Sequence, residues 1–390
     1  MPSRPLHALR LPPGRQVLEA LAAAIGGGPA VLPLDPKAPA ARRDRQLDLL
    51  RPHALVDGDG THQLAGAEDV DDDIAVVVQT SGSSGTPKGV QLTAAALLHS
   101  ATATLSRLGA APGQRWLCCL PTHHIAGVQV LLRSLVAAST PEIWSAFDDV
   151  AGLGTSSADY VSLVPTMLYR ALEAGVDLTG FRAILLGGAA ASPELLRRAA
   201  DAGARVVTTY GMSETGGGAV YDGVPLDGVR VAVDPTGRIR LGGQVLAAGY
   251  RLAPELTAAA FVDGWHLTQD AGRVAADGRL QVLGRLDEIV VSGGVNVSLA
   301  EVDRALSAHP AVAQAAAYAR PDPEWGQSVV AVVVPRRPAP SLDELRTFVA
   351  DLAGAAAAPR ALVLVADLPM LAGGKLDRSA LARLGTTAAS

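Results

Sequence analysis

Residues 76–90 read VVVQTSGSSGTPKGV, an apolar run that a sheet can bury, broken by glycines and hydroxyls and followed by one lysine. Few other stretches constrain a chain so tightly. Backbone amides left open by Gly82, Gly85 and Gly89, the hydroxyls of Thr80, Ser81, Ser83, Ser84 and Thr86, and the charge of Lys88 can together wrap a polyphosphate. The pattern is not the Walker loop, which would need glycine at Pro87 and a hydroxyl at Gly89. The competing reading is a solvated Gly/Ser turn. Position favours the nucleotide loop, because the strand-like residues 74–78 precede it and a helix-like run starts near Thr93.

Further along, strand-like and helix-like segments alternate as far as Tyr210, the pattern of a largely parallel sheet covered by helices. Pro165 is placed to open one helix, and Ser192-Pro193-Glu194 to open another that Gly203 closes. Gly187, Gly188 and Ala189, and then Tyr210 to Glu214, therefore fall at the C-terminal ends of strands, where open α/β sheets bind ligands. Beyond Gly216 short strands and turns follow, with Asp234-Pro235-Thr236-Gly237 as a hairpin turn, which predicts a compact barrel or meander. Past Asp287 helices and strands mix, with capping boxes at Ser298/Glu301 and Ser341/Glu344.

Five ordered stretches resemble the adenylate-forming superfamily of acyl-CoA synthetases, luciferases and peptide-synthetase adenylation domains. They are the loop itself, TTYGMSETG at 208–216, TQDAGRV at 268–274, GRLDEIVVSGGVN at 284–296 and GGKLDR at 373–378. The resemblance implies an α/β fold: a large N-terminal domain, residues 1–286, of mostly parallel sheet layers with a β-rich subdomain, and a small mobile C-terminal α+β domain, 287–390. It also implies an AMP-forming ligase that uses ATP, Mg2+ and CoA. The acid and ATP would give an acyl-adenylate and pyrophosphate; the CoA thiol would then displace AMP.

Carried over residue by residue, the resemblance assigns ATP contacts to Thr80, Ser81, Gly82, Ser83, Ser84, Gly85, Thr86, Lys88, Gly188, Ala189, Tyr210, Gly211 and Ser213. Tyr210 would stack on adenine, Glu214 would hold Mg2+, and Asp270 would bind the ribose hydroxyls, with Arg285 on the same ribose or the phosphate. Lys375 would bridge the acyl oxygen and the α-phosphate. Asp287 would be the hinge about which the small domain turns, and Ser292, Gly293 and Gly294 would then face a pantetheine tunnel. Three departures stand out: Ser213 replaces threonine, Gln269 replaces glycine, and Leu371 stands where threonine is common.

LPTHHIAGVQVLLRSL, residues 120–135, places two histidines at a strand-to-helix junction. Adjacent histidines lack metal-ligand spacing, and His123 read alone is as readily a packing residue. His124 matches a pocket histidine in the P-x-x-H-I-x-G element of o-succinylbenzoate–CoA ligases of menaquinone biosynthesis, a subgroup that YDGVPLDGV at 221–229 also resembles. That resemblance implies a dicarboxylate aromatic acid, with one carboxylate adenylated and the other bound by donors such as His124, and with Gly187 and Gly188 lining the pocket. The family's first subdomain looks abridged, since motifs begin near Thr80 and only VLPLDPKAPAARR at 31–43 resembles what usually precedes them.

Other readings are another short acyl- or aryl-CoA ligase and, from a different class, a nucleotide-binding module without catalysis. The retention of Lys88, Glu214, Asp270 and Lys375 argues against the module. A peptide-synthetase domain is disfavoured because the chain stops at the final motif. A net charge of −5 over 390 residues without a basic cluster argues against nucleic acid as a partner. No apolar run approaches the roughly 20 residues that span a bilayer. Cys118 and Cys119, the only cysteines, are adjacent in a strand-like segment, so they should face opposite ways as packing residues. A cytoplasmic enzyme, possible as a homo-oligomer, is the expectation.

Overall fold

The computed structural model describes residues 2–81, 87–292, 294–370 and 376–387. By internal contacts the chain divides into two compact units: 1–232, 240–267 and 276–280 form one, and 233–239, 268–275 and 281–390 the other.

In the first unit a seven-stranded sheet runs in the order Gly249–Tyr250, Pro87–Thr93, Ile74–Ser81, Ala30–Pro33, Leu6–Leu9, Ala54–Asp57, Gly60–Gln63. Its middle is parallel. Its two edges are antiparallel. A second seven-stranded sheet runs Glu142–Ile143, Trp116–Cys118, Tyr160–Leu163, Ala183–Leu186, Val206–Met212, Gly217–Tyr221, Val224–Pro225. The first five of these strands are parallel, as the alternation predicted.

Strand periodicity builds the layers. Trp116 and Cys118 pack toward one core, with Tyr160, Ala183 and Leu185. Leu117 and Cys119 pack toward another, with Val161, Leu163, Ile184 and Leu186. Helices Arg15–Ile25, Ala94–Leu108 and Ile125–Val136 fill the first core between the two sheets. Helices Pro165–Glu173 and Pro193–Asp201 cover the outer face of the second sheet. Leu50 at the end of helix Ala40–Leu50 closes the outer face of the first. Each such buried aliphatic side chain contributes about 1.5–3 kcal/mol of transfer free energy. The cysteines are therefore packing residues on opposite faces, and burial pushes both thiols up to about 12.

The structure adds two features that the sequence reading did not give. The strand before the glycine-rich loop and the helix start at Thr93 are where the sequence placed them, but between them Pro87–Thr93 forms a strand antiparallel to Ile74–Ser81. A strand of PKGVQLT is hard to see beforehand, because Pro, Lys and Gly are poor strand formers and sheet pairing supplies what propensity does not. The N-terminal segment, read as abridged, supplies four of the seven strands in the first sheet.

Segment 229–285 is β-rich as read, and its strands form a five-stranded sheet: Val229–Val233, Arg238–Gly243, Trp265–Val274 and Phe261–Val262 in order, with Leu280–Arg285 paired to Trp265–Val274. The Asp234 turn is present, closed by Gly237 N–H donating to the Asp234 carbonyl at 2.9 Å.

The second unit has its own sheet, ordered Val295–Ser298, Ile289–Ser292, Gly326–Pro335, Val312–Asp322, with Ala361–Leu364 on Gly326–Pro335. Helices Leu299–Ser307 and Leu342–Ala353 share one core with it. Helix Arg378–Thr387 contributes Leu381 to another. Ser298 and Ser341 cap as expected, and at Ser341 the reciprocal bond from Glu344 completes the box.

Candidate active site

Because five strands of the second sheet are parallel, the residues that follow them collect along one sheet edge. His124 follows Trp116–Cys118, Gly187 to Ala189 follow Ala183–Leu186, and Ser213 and Glu214 follow Val206–Met212. His124 is exposed and is the N-cap of helix Ile125–Val136, in extended backbone at φ −110° and ψ 150°. The His123 ring stands 4.4 Å from it, half-buried, and burial with the neighbouring His124 lowers the His123 imidazole to about 4.

The glycines here answer to close backbone approach. A Cβ on Gly211 would lie 2.1 Å from the Gly217 carbonyl oxygen and 2.7 Å from Gly218 Cα, where the Val206–Met212 and Gly217–Tyr221 pairing shifts register. Gly188 has φ +78°, a conformation that side chains other than glycine's rarely take.

The centre is a three-residue network. Lys88 Nζ donates to the Tyr250 hydroxyl at 2.9 Å. Tyr250 donates in turn to Glu214 Oε1 at 2.8 Å. Lys88 Nζ and Glu214 Oε1 lie 3.4 Å apart, with the Glu214 side chain only 9% exposed. Lys88 also stands over the Tyr250 ring, 4.1 Å from its centroid. Burial, then the Glu214 charge, push the Tyr250 phenol up, so it keeps its proton and donates. The Glu214 carbonyl accepts from Ala247 N–H at 2.8 Å, which pins the turn after Val206–Met212 against the strand carrying Tyr250.

Thr80 sits opposite Lys88 in the hairpin register. Its hydroxyl oxygen is buried and has no hydrogen-bond partner among the described residues. A polar atom left so costs free energy unless a ligand or water meets it. Among the described residues no cluster of His, Cys, Asp or Glu stands ready as a metal cage. A cation at Glu214 would thus draw its remaining ligands from phosphate and water, which suits Mg2+. The donor set, one lysine and an unsatisfied hydroxyl beside one buried carboxylate, fits a metal-bound polyphosphate.

The second unit carries the other described candidates. Arg285 Nη1 lies 3.5 Å from Asp270 Oδ1, and Asp270 N–H donates to Thr268 Oγ1 at 3.1 Å. The Asp287 backbone lies in the 3-10 turn Leu286–Glu288. Ser292 is buried and pairs with Val295 across a hairpin in which Gly294 has φ +79°. Gly82, Ser83, Ser84, Gly85, Thr86, Gly293 and Lys375 lie outside the described residues. Arg378, three residues past Lys375, donates to Glu288 Oε1 at 2.7 Å, Asp303 Oδ2 at 2.8 Å and the Ala317 carbonyl at 3.0 Å.

Sequence reasoning missed Tyr250. Its signal is faint: GGQVLAAGYRLAPELT, in which Gly249 at φ +146° packs against Thr257, its missing Cβ 2.4 Å from Thr257 Cγ2.

Comparison with known proteins points the same way. The AMP-binding enzyme family model matches residues 59–247, and the AMP-binding enzyme C-terminal domain model matches 301–375. A protein of Mycobacterium tuberculosis named a probable 2-succinylbenzoate–CoA ligase is 46% identical over 338 residues, covering 82% of this chain and 87% of that one. The Bacillus subtilis o-succinylbenzoate CoA synthetase bound to its acyl-adenylate intermediate superposes with a TM-score of 0.83 at 27% identity, over 97% of this chain and 88% of that one. The same enzyme with ATP and magnesium ion gives a TM-score of 0.82 at 27% identity, over 97% and 89%.

Proposed function

The chain belongs to the AMP-binding enzyme family, and on that premise we propose that it acts as an AMP-forming acid–CoA ligase on 2-succinylbenzoate. One observation carries the reading: Lys88, Tyr250 and Glu214 form a charged network at the base of the glycine-rich loop, beside the Thr80 hydroxyl, which has no hydrogen-bond partner among the described residues.

In this proposal Lys88 and the loop hydroxyls hold the phosphates of ATP. Mg2+ on Glu214 would neutralise phosphate charge and keep pyrophosphate a good leaving group. One carboxylate of the acid attacks the α-phosphorus; the P–O bond to pyrophosphate breaks and an acyl-adenylate forms. Lys375 would stabilise the charge that develops. The other carboxylate of the acid is held at the N-terminal end of helix Ile125–Val136, where His124 and backbone amides offer donors. Asp270, with Arg285 beside it, takes the ribose hydroxyls, and Tyr210 with Gly188 and Ala189 takes adenine. For the second step the domain beyond the 286/287 boundary turns about Asp287. The CoA thiol, reached past Ser292 and Gly294, then attacks the acyl carbon and AMP leaves. The identity to 2-succinylbenzoate–CoA ligases over most of the chain supports this acid.

The test is a panel of carboxylic acids with ATP and CoA, read by mass spectrometry of the CoA product and by nucleotide analysis. Acid-dependent AMP and 2-succinylbenzoyl-CoA are expected. ADP as the product would overturn the reaction class, and thioester from a different aryl acid alone would move the substrate.

A further inference from the structure

Tyr250 belongs to none of the sequence motifs, yet the fold restrains it on several sides. Its edge strand pairs with the loop's return strand, Tyr250 opposite Val90. Its N–H donates to Thr257 Oγ1 at 2.8 Å. The edge of its ring meets Phe261 with centroids 5.6 Å apart, and Lys88 sits over its face. A side chain so restrained aims its hydroxyl at one point, within hydrogen-bond reach of both Lys88 Nζ and Glu214 Oε1.

We propose that Tyr250 is a positioning residue of the ligase: its hydroxyl bonds both the Lys88 ammonium and the Glu214 carboxylate and fixes where each is presented, so that each can meet its own part of one MgATP. The proposal rests on the assignment of Lys88 to phosphate and Glu214 to metal made above.

The hydroxyl has one proton and can accept another bond, and both are used: it donates to Glu214 and accepts from Lys88. Lys88 and Glu214 also pair directly at 3.4 Å, and the hydroxyl bonded to both fixes the direction in which each long side chain points. The hydroxyl thus closes a triangle of contacts that orients both groups before MgATP arrives. Tyr250 thereby acts on MgATP capture and the first half-reaction, and leaves transfer to CoA alone.

Tyr250→Phe keeps the ring, the cation–π contact and the packing, and removes only the bridge. The half-saturating Mg2+ concentration and the KM for MgATP should rise about 10- to 150-fold, the range for one hydrogen bond to a charged group. Thioester formation from presupplied acyl-adenylate should stay within about twofold, a split that general loosening of the fold does not produce. Calorimetry of MgATP binding gives a second arm that needs no turnover: on a Glu214→Gln background, Tyr250→Phe should add little, because the two act through one contact.

Superimposable Mg2+ titrations of wild type and variant would overturn the proposal, as would fully additive losses in the calorimetric cycle. Should thermal melts show Tyr250→Phe to be unfolded, Phe261→Leu keeps the hydroxyl but loosens the ring. It should raise the Mg2+ requirement in the same direction, and no shift there also overturns the proposal. A wild type that forms no AMP with any acid would refute the ligase reading instead, while the calorimetric cycle still decides the role of Tyr250.

Discussion

His123 and His124 are chemically identical neighbours that the fold separates by environment. His124 is exposed at a helix N-terminus, and His123 is half-buried beside it. If His124 binds the second carboxylate of the acid, His124→Ala should lower kcat/KM for 2-succinylbenzoate about 10- to 150-fold, as expected for one charge-assisted hydrogen bond. A monocarboxylate analogue should lose far less, and competition kinetics on the two acids reads the difference. His123 makes a prediction about stability. Its imidazole is lowered from 6.5 to about 4, chiefly by burial. Between those values the unfolded chain takes up a proton that the folded protein refuses. The stability present above the upper value is therefore lost as pH falls toward the lower. His123→Gln should flatten the fall of Tm across that window, and melts of both proteins from roughly pH 7.5 to 4.5 measure it. At this scale the sequence was informative wherever chemistry sits in a local motif, as for Lys88 and Glu214. Tyr250 lies 162 residues from Lys88, and no local pattern could announce a partner brought in by sheet pairing.

Among the elements, the parallel strands of the second sheet and the helices between them were legible from apolar runs, capping residues and prolines. Ser192, Pro193 and Pro165 all stand where helices begin. The hairpin at the glycine-rich loop was not, since its second strand contains proline, lysine and glycine and is held by pairing from Ile74↔Thr93 to Ser81↔Pro87. The register shift at Tyr210/Gly211 is likewise a tertiary feature, in which two backbones approach too closely for any side chain. Gly211→Ala should cost about 1–3 kcal/mol, because the new methyl meets backbone that cannot swing aside. Urea denaturation measures that loss, with MgATP binding expected to fall in parallel. Ser341→Ala provides a contrast in the second unit: loss of the capping box should cost about 1 kcal/mol, with MgATP affinity unchanged.

For the molecule as a whole the two-step reaction makes the strongest demand. Lys375→Ala should slow acyl-adenylate formation by about 10²-fold or more, the scale of losing one charge-stabilising donor. Conversion of presupplied adenylate to thioester should persist. Asp287→Pro, which fixes φ near −65° and restricts the preceding residue, should do the reverse. Single-turnover measurements of each half-reaction, with melts to verify folding, decide between alternation and a static arrangement; parallel losses in both variants would require the hinge assignment to be withdrawn. By itself the sequence determined the family and the alternation of strands and helices, and it named the candidate site residues. These depend on short-range signals: turn glycines, caps, and apolar periods that repeat within a few residues. Only the tertiary structure decided that the N-terminal strands complete the first sheet, that the loop is a hairpin connection, and that Tyr250 joins Lys88 to Glu214. Such pairings are free-energy choices among distant segments. They are settled by which strand edges and which buried polar groups satisfy one another once the cores have closed.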